Sequence, residues 1–228
     1  MRGEDAEPDQ QDADDASNAA RSRRLLIDSD VFVLLAAAGL LDRAITCLGF
    51  ARDDARRLDA LPHMLSRGKK FEDLTSAERL AALNWCDRIA PFRECPKPET
   101  LQVLADHAAS IHPGEATLFA WCHDNPDAVM ITGDKNALRA LAKGAPTFCA
   151  SLSGRVACLE QLIASLVTAD GVGSIYAALA IRAQHHKTLV VCFSEVNRAD
   201  QGECLRFLRI YIRDVEKCLP PNWLRMVQ

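Results

Sequence analysis

Acidic residues stand at three places in this sequence where folding can bring them together. Asp28 follows one short apolar run, Asp134 follows another, and Glu115 stands at the predicted start of a helix. Three converging carboxylates repel each other and stay ionised together only if a cation lies between them. Oxygen ligands alone favour hard ions, so the expected cofactor is Mg²⁺ or Mn²⁺. Such an ion activates water and stabilises in-line attack on a phosphate.

These three residues are therefore the candidate catalytic residues and the candidate metal ligands. Ser29 and Lys135 adjoin them in the sequence and are candidate substrate contacts. The substrate class that fits this chemistry is a phosphodiester.

Two predicted strands bring Asp28 and Asp134 to one edge of a sheet. Residues 24–28 and 128–132 are short, continuous apolar runs, which is typical of strands buried in a parallel sheet. Ligands bind beyond the carboxyl ends of such strands. If both strands are parallel, the two aspartates lie at the same edge.

Glu115 reaches the same edge by way of a predicted helix at residues 114–123. A helix of that size is about 15 Å long, and a five-residue strand spans about 16 Å. A tight turn at residues 124–127 joins the helix to the following strand, so the two run antiparallel over the same height. The start of the helix then lies beside the end of the strand.

The rest of the chain alternates short apolar runs with helical patterns, which indicates an α/β layered fold with a parallel sheet. The Thr75–Glu78 capping box opens one predicted helix. Further predicted helices cover residues 31–48, 53–65, 75–89, 99–110, 136–143, 155–168 and 202–219, and candidate strands cover residues 146–149 and 188–193.

Charge is distributed unevenly along the 228 residues. The first twenty residues hold seven acids and one Arg, a net charge of −6, so the −4 of the whole chain leaves +2 from Arg21 onward. A segment this polar cannot bury enough surface to offset its ordering entropy, so we expect residues 1–22 to form a disordered acidic tail. The nearly neutral remainder neither favours nor excludes binding to nucleic acid.

We expect a cytoplasmic protein without a membrane-spanning segment. The tail has no apolar run of the kind found in signal peptides, and the longest apolar stretch, Val31–Leu41, is shorter than the about 20 residues that cross a bilayer. Nine cysteines lack zinc-knuckle spacing and mostly lie in apolar runs, so we expect reduced, buried thiols.

The order and spacing of the acids resemble the PIN-domain family of nucleases, including bacterial toxin-like ribonucleases. Asp28-Ser29-Asp30 resembles that family's first strand end, Gly114-Glu115-Ala116 resembles its acid at a helix start, and Thr132-Gly133-Asp134 resembles its following strand end. The resemblance covers residues 25–166.

That resemblance implies a three-layer α/β/α fold with a central parallel sheet and endonucleolytic cleavage of RNA. It implies metal ligation by Asp28, Glu115 and Asp134. It suggests a PIN-like nuclease domain at residues 23–170, followed by a mostly helical C-terminal extension at residues 171–228. Many relatives of this size are toxins restrained by an antitoxin protein, so an antitoxin and a homodimer are the partners that it implies besides RNA.

The resemblance also implies a fourth acid in the helical stretch after the first strand. The candidates are Asp53, Asp54, Asp59 and Glu72, and the sequence does not choose among them. A missing fourth acid favours a different hypothesis, in which the chain is a catalytically degenerate PIN-like binding module.

Each proposed ligand also has a purely structural explanation. Asp28 or, in a better position, Asp30 can cap the following helix. Glu115 can stabilise the positive end of its own helix dipole, and Asp134 can cap the next helix through Asn136.

Other polar residues have similar alternatives. Lys135 and Arg139 can contact phosphate or simply be solvated, and His112 and His123 lie where histidines are ordinary. The last long helix carries a basic stripe with two aromatic residues, which can bind RNA or be a solvated face. The stripe consists of Arg206, Phe207, Arg209, Tyr211, Arg213 and Lys217.

A second enzyme class shares part of the pattern. Asp28-Ser29-Asp30-Val31 is similar to the opening motif of haloacid-dehalogenase-like phosphohydrolases, and Gly133-Asp134 is similar to their metal-binding pair. That pattern usually has another Asp about four residues later, where this chain has Leu138, and it leaves Glu115 without a role.

Overall fold

A four-stranded, fully parallel sheet lies at the centre of the chain in the computed structural model, which describes residues 23–107 and 111–227. Its strand order is β2-β1-β3-β4. The strands are β1 (Arg24–Ile27), β2 (Ala55–Arg57), β3 (Ala128–Thr132) and β4 (Val156–Cys158). The predicted disordered tail at residues 1–22 lies outside the described residues.

Helices cover both faces of this sheet, as the sequence predicted for a layered α/β fold. They are α1 (Ser29–Ala37), α2 (Leu41–Cys47), α3 (Leu61–Arg67), α4 (Ser76–Cys86), α5 (Pro98–His107), α6 (Pro113–Asp124), α7 (Lys135–Gly144), α8 (Pro146–Ser151), α9 (Leu159–Asp170), α10 (Val172–Ala183), α11 (Lys187–Cys192), α12 (Glu195–Arg198) and α13 (Gln201–Glu216). Short 3₁₀ turns stand at Arg52–Asp54 and Lys69–Phe71.

Alternation along the strands divides the core into two layers. Leu25 and Ile27 of β1 point into one apolar cluster with α1, α2, α4 and α9. Leu26 of β1 and Met130 of β3 point into the other, with α5, α6, α7 and α8. Successive strand side chains face opposite sides of a sheet, so apolar runs such as these require cover on both faces. The result is an α/β/α sandwich.

Several predicted elements have different bounds in the structure. The helix expected at residues 31–48 begins earlier, at Ser29, and is divided into α1 and α2 around Gly39, whose φ is +68°. That left-handed conformation suits glycine, which has no Cβ. The helix expected at residues 53–65 is replaced by a 3₁₀ turn, strand β2 and helix α3.

Two expected strands are helices. Residues 146–149 lie in α8 and residues 188–193 lie almost wholly in α11. Strand β4, which like β2 was not predicted, occupies the first residues of the helix expected at 155–168. Pro146 at the start of α8 is well suited to the first helical turn, where its lack of an N–H costs nothing.

Irregular chain covers both edges of the sheet. Leu224 pairs with Val156 of β4, and the Arg225 N–H donates to the Val156 carbonyl at 2.8 Å. At the other edge, the Phe92 N–H donates to the carbonyl of Arg57 in β2 at 3.0 Å. Exposed strand edges invite pairing with other chains, and these segments limit that exposure.

The C-terminal helices pack into the same core as the sheet. Leu179 of α10 and Leu208 of α13 are buried in the cluster that contains Leu25 and Ile27, and α13 packs along α9. All nine cysteines are free thiols, and six of them are buried. No helix in the described part of the chain is both long enough and apolar enough to cross a membrane.

We expect Leu208→Ala to destabilise the whole domain rather than the C-terminal helices alone. Leu208 is fully buried, and truncating a buried Leu costs about 2–5 kcal/mol. Ile210→Ala on the same helix is the matched control, because Ile210 is 46% exposed. Denaturant unfolding followed by far-UV circular dichroism should show one transition, shifted only in Leu208→Ala. A separate early transition would contradict the shared core.

Candidate carboxylate site

Asp28 lies at the carboxyl end of β1, where the strand gives way to α1. Its backbone N–H donates to the Ile131 carbonyl at 3.0 Å, and its carboxylate Oδ2 accepts from the Thr132 hydroxyl at 3.3 Å. Asp28 holds the N-cap position of α1 but makes no side-chain capping hydrogen bond. Asp30, expected to be the better cap, lies in the first turn and pairs with Lys70 instead. The Asp28 carboxylate is therefore not committed to capping α1.

Asp134 lies at the carboxyl end of β3 and caps α7. Its Oδ1 accepts from the backbone N–H groups of Asn136 at 2.7 Å and Ala137 at 2.9 Å. Its own N–H donates to the Thr132 hydroxyl at 3.0 Å. Thr132 thus links the two aspartates through one buried hydroxyl group. Asp134 therefore does cap α7, and the capping hydrogen bonds hold its carboxylate at this edge of the sheet.

Glu115 arrives from the first turn of α6. Its Oε2 accepts from the His112 N–H at 3.3 Å, which helps to cap that helix. The side chain is only 6% exposed and interacts electrostatically with both Asp134 and Asp28. The structure therefore brings Asp28, Glu115 and Asp134 to one edge of the sheet.

The electrostatics of this cluster oppose full ionisation. Burial, followed by repulsion from Asp134 and Asp28, raises the pKa of Glu115 to about 8. Burial and the nearby Asp30 raise the pKa of Asp28 to about 6. Near neutral pH the cluster therefore needs a proton or a cation to relieve the repulsion.

A cavity of 610 Å³ opens onto Asp28 and Glu115. Its lining is mostly apolar, and the polar groups include the ammonium of Lys70 and the buried hydroxyl of Ser29, which has no hydrogen-bond partner among the described residues. The lining consists of Asp28, Ser29, Leu58, Ala60, Met64, Lys70, His112, Pro113, Gly114, Glu115 and Thr117.

The donor set suits a hard divalent cation, because carboxylates that repel each other in a buried place gain most from one. The side chains are not arranged as a ready-made cage: across residues 23–107 and 111–227, no group of three or more His, Cys, Asp or Glu side chains is positioned to hold a metal ion. The residues suit Mg²⁺ or Mn²⁺ in charge and in ligand type. To bind such an ion, the three neighbouring carboxylates would have to move closer together.

The two candidate substrate contacts lie in different surroundings. Ser29 lines the cavity. Lys135 is directed elsewhere: its ammonium donates to Glu160 at 2.8 Å and to Thr188 at 2.5 Å, and it lies over the Tyr211 ring. A phosphate could recruit Lys135 only by displacing these partners.

The other polar residues that the sequence singled out have different surroundings. Arg139 pairs with Asp214 at 2.5 Å. His112 lines the cavity, whereas the ring of His123 stacks on Phe148. Within the basic stripe on α13, Arg206 is paired with Glu203, and Arg209, Arg213 and Lys217 are exposed.

The four candidates for a further acid do not line the cavity. Asp53 and Asp54 precede β2 and so lie toward the opposite edge of the parallel sheet. Asp59 follows β2 but is exposed and borders a neighbouring pocket, and Glu72 is exposed after the second 3₁₀ turn.

Sequence reasoning missed two residues here, Lys70 and Thr132. Thr132 was considered only as part of a motif, although a Thr at a strand end beside two acids is a plain candidate for a bridging hydroxyl. Lys70 had no comparable signal, because only the turn between α3 and α4 brings it to the carboxylates.

Comparison with known proteins finds no family model, no curated protein and no solved structure that matches this chain. The resemblance to PIN-domain nucleases therefore rests on the residues quoted for it.

Glu115→Gln should stabilise the metal-free protein at alkaline pH. A carboxyl group whose pKa is higher in the folded state binds more protons folded than unfolded, so its contribution to stability falls as pH rises between the two pKa values. For Glu115 that window runs from about 4.5 to about 8. In EDTA at pH 8.5, we expect the free energy of unfolding of Glu115→Gln to exceed that of the wild type by a few kcal/mol. Near pH 4.5 the two values should be equal.

Denaturant unfolding at both pH values measures this difference. Glu99→Gln is the matched control, since Glu99 also lies in the first turn of its helix but is exposed. If Glu115→Gln and Glu99→Gln shift stability alike, the carboxylates do not repel each other as described.

Proposed function

We propose that this protein is a metal-dependent endoribonuclease of the PIN-domain type. It hydrolyses RNA phosphodiester bonds at an Mg²⁺ or Mn²⁺ ion held by Asp28, Glu115 and Asp134. The observation that carries the proposal is the placement of Glu115, at the start of α6, beside the two aspartates that follow β1 and β3 at the carboxyl edge of a parallel sheet. A purely structural acid at a helix start gains nothing from two acidic neighbours, of which Asp28 is buried.

The protein's own groups prepare the site for this reaction. A bound divalent ion would stabilise charge at the phosphate and lower the pKa of a water molecule. Asp28 and Glu115 supply buried carboxylate oxygens, and the Thr132 hydroxyl orients Asp28 by donating to Oδ2. The N-terminus of α7 holds the carboxylate of Asp134 in place through two backbone N–H groups. The cavity beside Glu115 admits the substrate.

The same geometry counts against the phosphohydrolase hypothesis. Leu138, which stands where that pattern usually has a further Asp, is fully buried in the core. Glu115, which has no role in that pattern, lies within the carboxylate cluster.

A catalytically degenerate PIN-like binding module is the second candidate. Two observations favour it: the four acids considered for the remaining ligand do not line the cavity, and the described side chains form no ready-made metal cage. Metal-dependent cleavage separates the two candidates.

Purified protein should cleave a mixed RNA pool with Mn²⁺ and should not cleave it in EDTA. Asp134→Asn should lower the rate by at least about a hundredfold, the scale expected when metal-centred charge stabilisation is lost. Asn caps helices as well as Asp, so this change removes the charge without removing the cap of α7. Gel analysis of a labelled RNA pool measures the rates.

Asp200→Asn is the matched control, because Asp200 caps α13 in the same way through Gly202. It should cleave at the wild-type rate. No cleavage by folded wild-type protein with Mn²⁺ or Mg²⁺, across several RNAs, would favour the binding module. Equal loss in both variants would point to a folding defect.

We further propose a toxin-like role with an antitoxin partner, on the family resemblance alone. Expression of the wild-type chain should then arrest growth, and Asp134→Asn should not. Co-expression of the product of a neighbouring gene should restore growth, measured as colony counts. Growth arrest that no neighbouring product relieves would count against an antitoxin.

A further inference from the structure

Lys70 reaches the carboxylate cluster because the chain turns sharply after α3. At Gly68, an added Cβ would lie 2.6 Å from the Met64 carbonyl oxygen, so only glycine fits this close approach. Phe71, one residue past Lys70, is buried in the core. The turn and the buried ring hold the backbone on both sides of Lys70.

A cation from the next helix clamps the same segment. The guanidinium of Arg79 in α4 donates to the carbonyl of Leu65 and to the carbonyl of Phe71, the latter at 2.9 Å. These bonds tie the end of α3 to the 3₁₀ turn that carries Lys70. These contacts hold the backbone beside Lys70 in place, so a change in the position of its ammonium must come from rotation of the side chain.

The Lys70 ammonium lies beside Asp30, and Lys70 lines the same cavity as Asp28 and Glu115. It pairs with Asp30 Oδ1 at 3.0 Å, and both side chains are nearly half exposed. Burial lowers the pKa of Lys70, but Asp30, Asp28 and Glu115 together raise it by more. An exposed ion pair is weak, so the ammonium can leave Asp30 at little cost.

We propose that Lys70 is the counter-ion of the carboxylate site in the metal-free protein and becomes a phosphate-binding residue when a divalent ion binds. The ammonium and the ion compete for the same negative potential, because both are attracted to Asp28 and Glu115. Once the ion neutralises these acids, Lys70 is released toward the cavity that it lines. A lysine there binds the anionic phosphate as a point charge. The second half of this role rests on the proposed nuclease function.

Mn²⁺ titration of the full chain, followed by electron paramagnetic resonance, tests the competition. Removing one positive charge a few ångströms from the site should tighten Mn²⁺ binding about tenfold in Lys70→Gln. Lys69→Gln is the matched control: it removes the same charge from the adjacent exposed residue, which does not line the cavity. Lys70→Arg keeps the charge and should bind Mn²⁺ as wild type does.

RNA affinity tests the phosphate-binding half. In Mn²⁺, and with a labelled single-stranded RNA analogue that resists hydrolysis, Lys70→Gln should bind the strand about tenfold more weakly than Lys69→Gln does. Equal Mn²⁺ affinities for the two glutamine variants would overturn the counter-ion role, and equal RNA affinities would overturn the phosphate-binding role.

A third measurement distinguishes failure of the nuclease proposal from failure of the counter-ion role of Lys70. If wild type binds no Mn²⁺, the metal site fails, yet the counter-ion role still predicts a lower melting temperature for Lys70→Gln than for Lys69→Gln in EDTA at pH 8. Lys70→Arg should restore the wild-type melting temperature. Equal melting temperatures for Lys70→Gln and Lys69→Gln would overturn the counter-ion role.

Discussion

Strands β1 and β3 run side by side in parallel, and the Asp28 N–H extends their ladder of hydrogen bonds to the Ile131 carbonyl. This pairing brings two strand ends, and the acid after each, to one edge. The antiparallel packing of α6 beside β3 then returns Glu115 to the same height. Without the parallel pairing the acids would lie at opposite edges, and neither the electrostatic cluster nor its cavity would exist.

Burial of like charges is the cost of that arrangement. The three acids are held by features with structural value of their own: a strand end, a helix cap and a capping hydrogen bond. Because the backbone holds them, they cannot relax by moving far apart. The repulsion is instead relieved by protons, by the nearby ammonium of Lys70, or by a divalent ion. The same acids therefore serve local folding and create an affinity for cations.

Much of this arrangement was predictable from sequence because it depends on local pattern. The strands that carry Asp28 and Asp134 are apolar runs bounded by polar residues, and the lengths of α6 and β3 alone place Glu115. Strands β2 and β4 escaped prediction because three residues show no periodicity, and Ala55-Arg56-Arg57 is not apolar. Lys70 escaped because its position depends on the tight approach at Gly68 and on the clamp from Arg79, which are contacts between distant residues.

The Thr132 hydroxyl has a consequence for how Asp28 is neutralised. A hydroxyl group has one proton, and here that proton points to Oδ2 of Asp28, while the Asp134 N–H points at the oxygen. Because the hydroxyl oxygen accepts from the Asp134 N–H, its own proton is left to donate to Oδ2. Oδ2 thus accepts one hydrogen bond from Thr132 before any further proton or ion arrives. One threonine thereby makes two chemically equivalent oxygens inequivalent, so Asp28 is an asymmetric ligand.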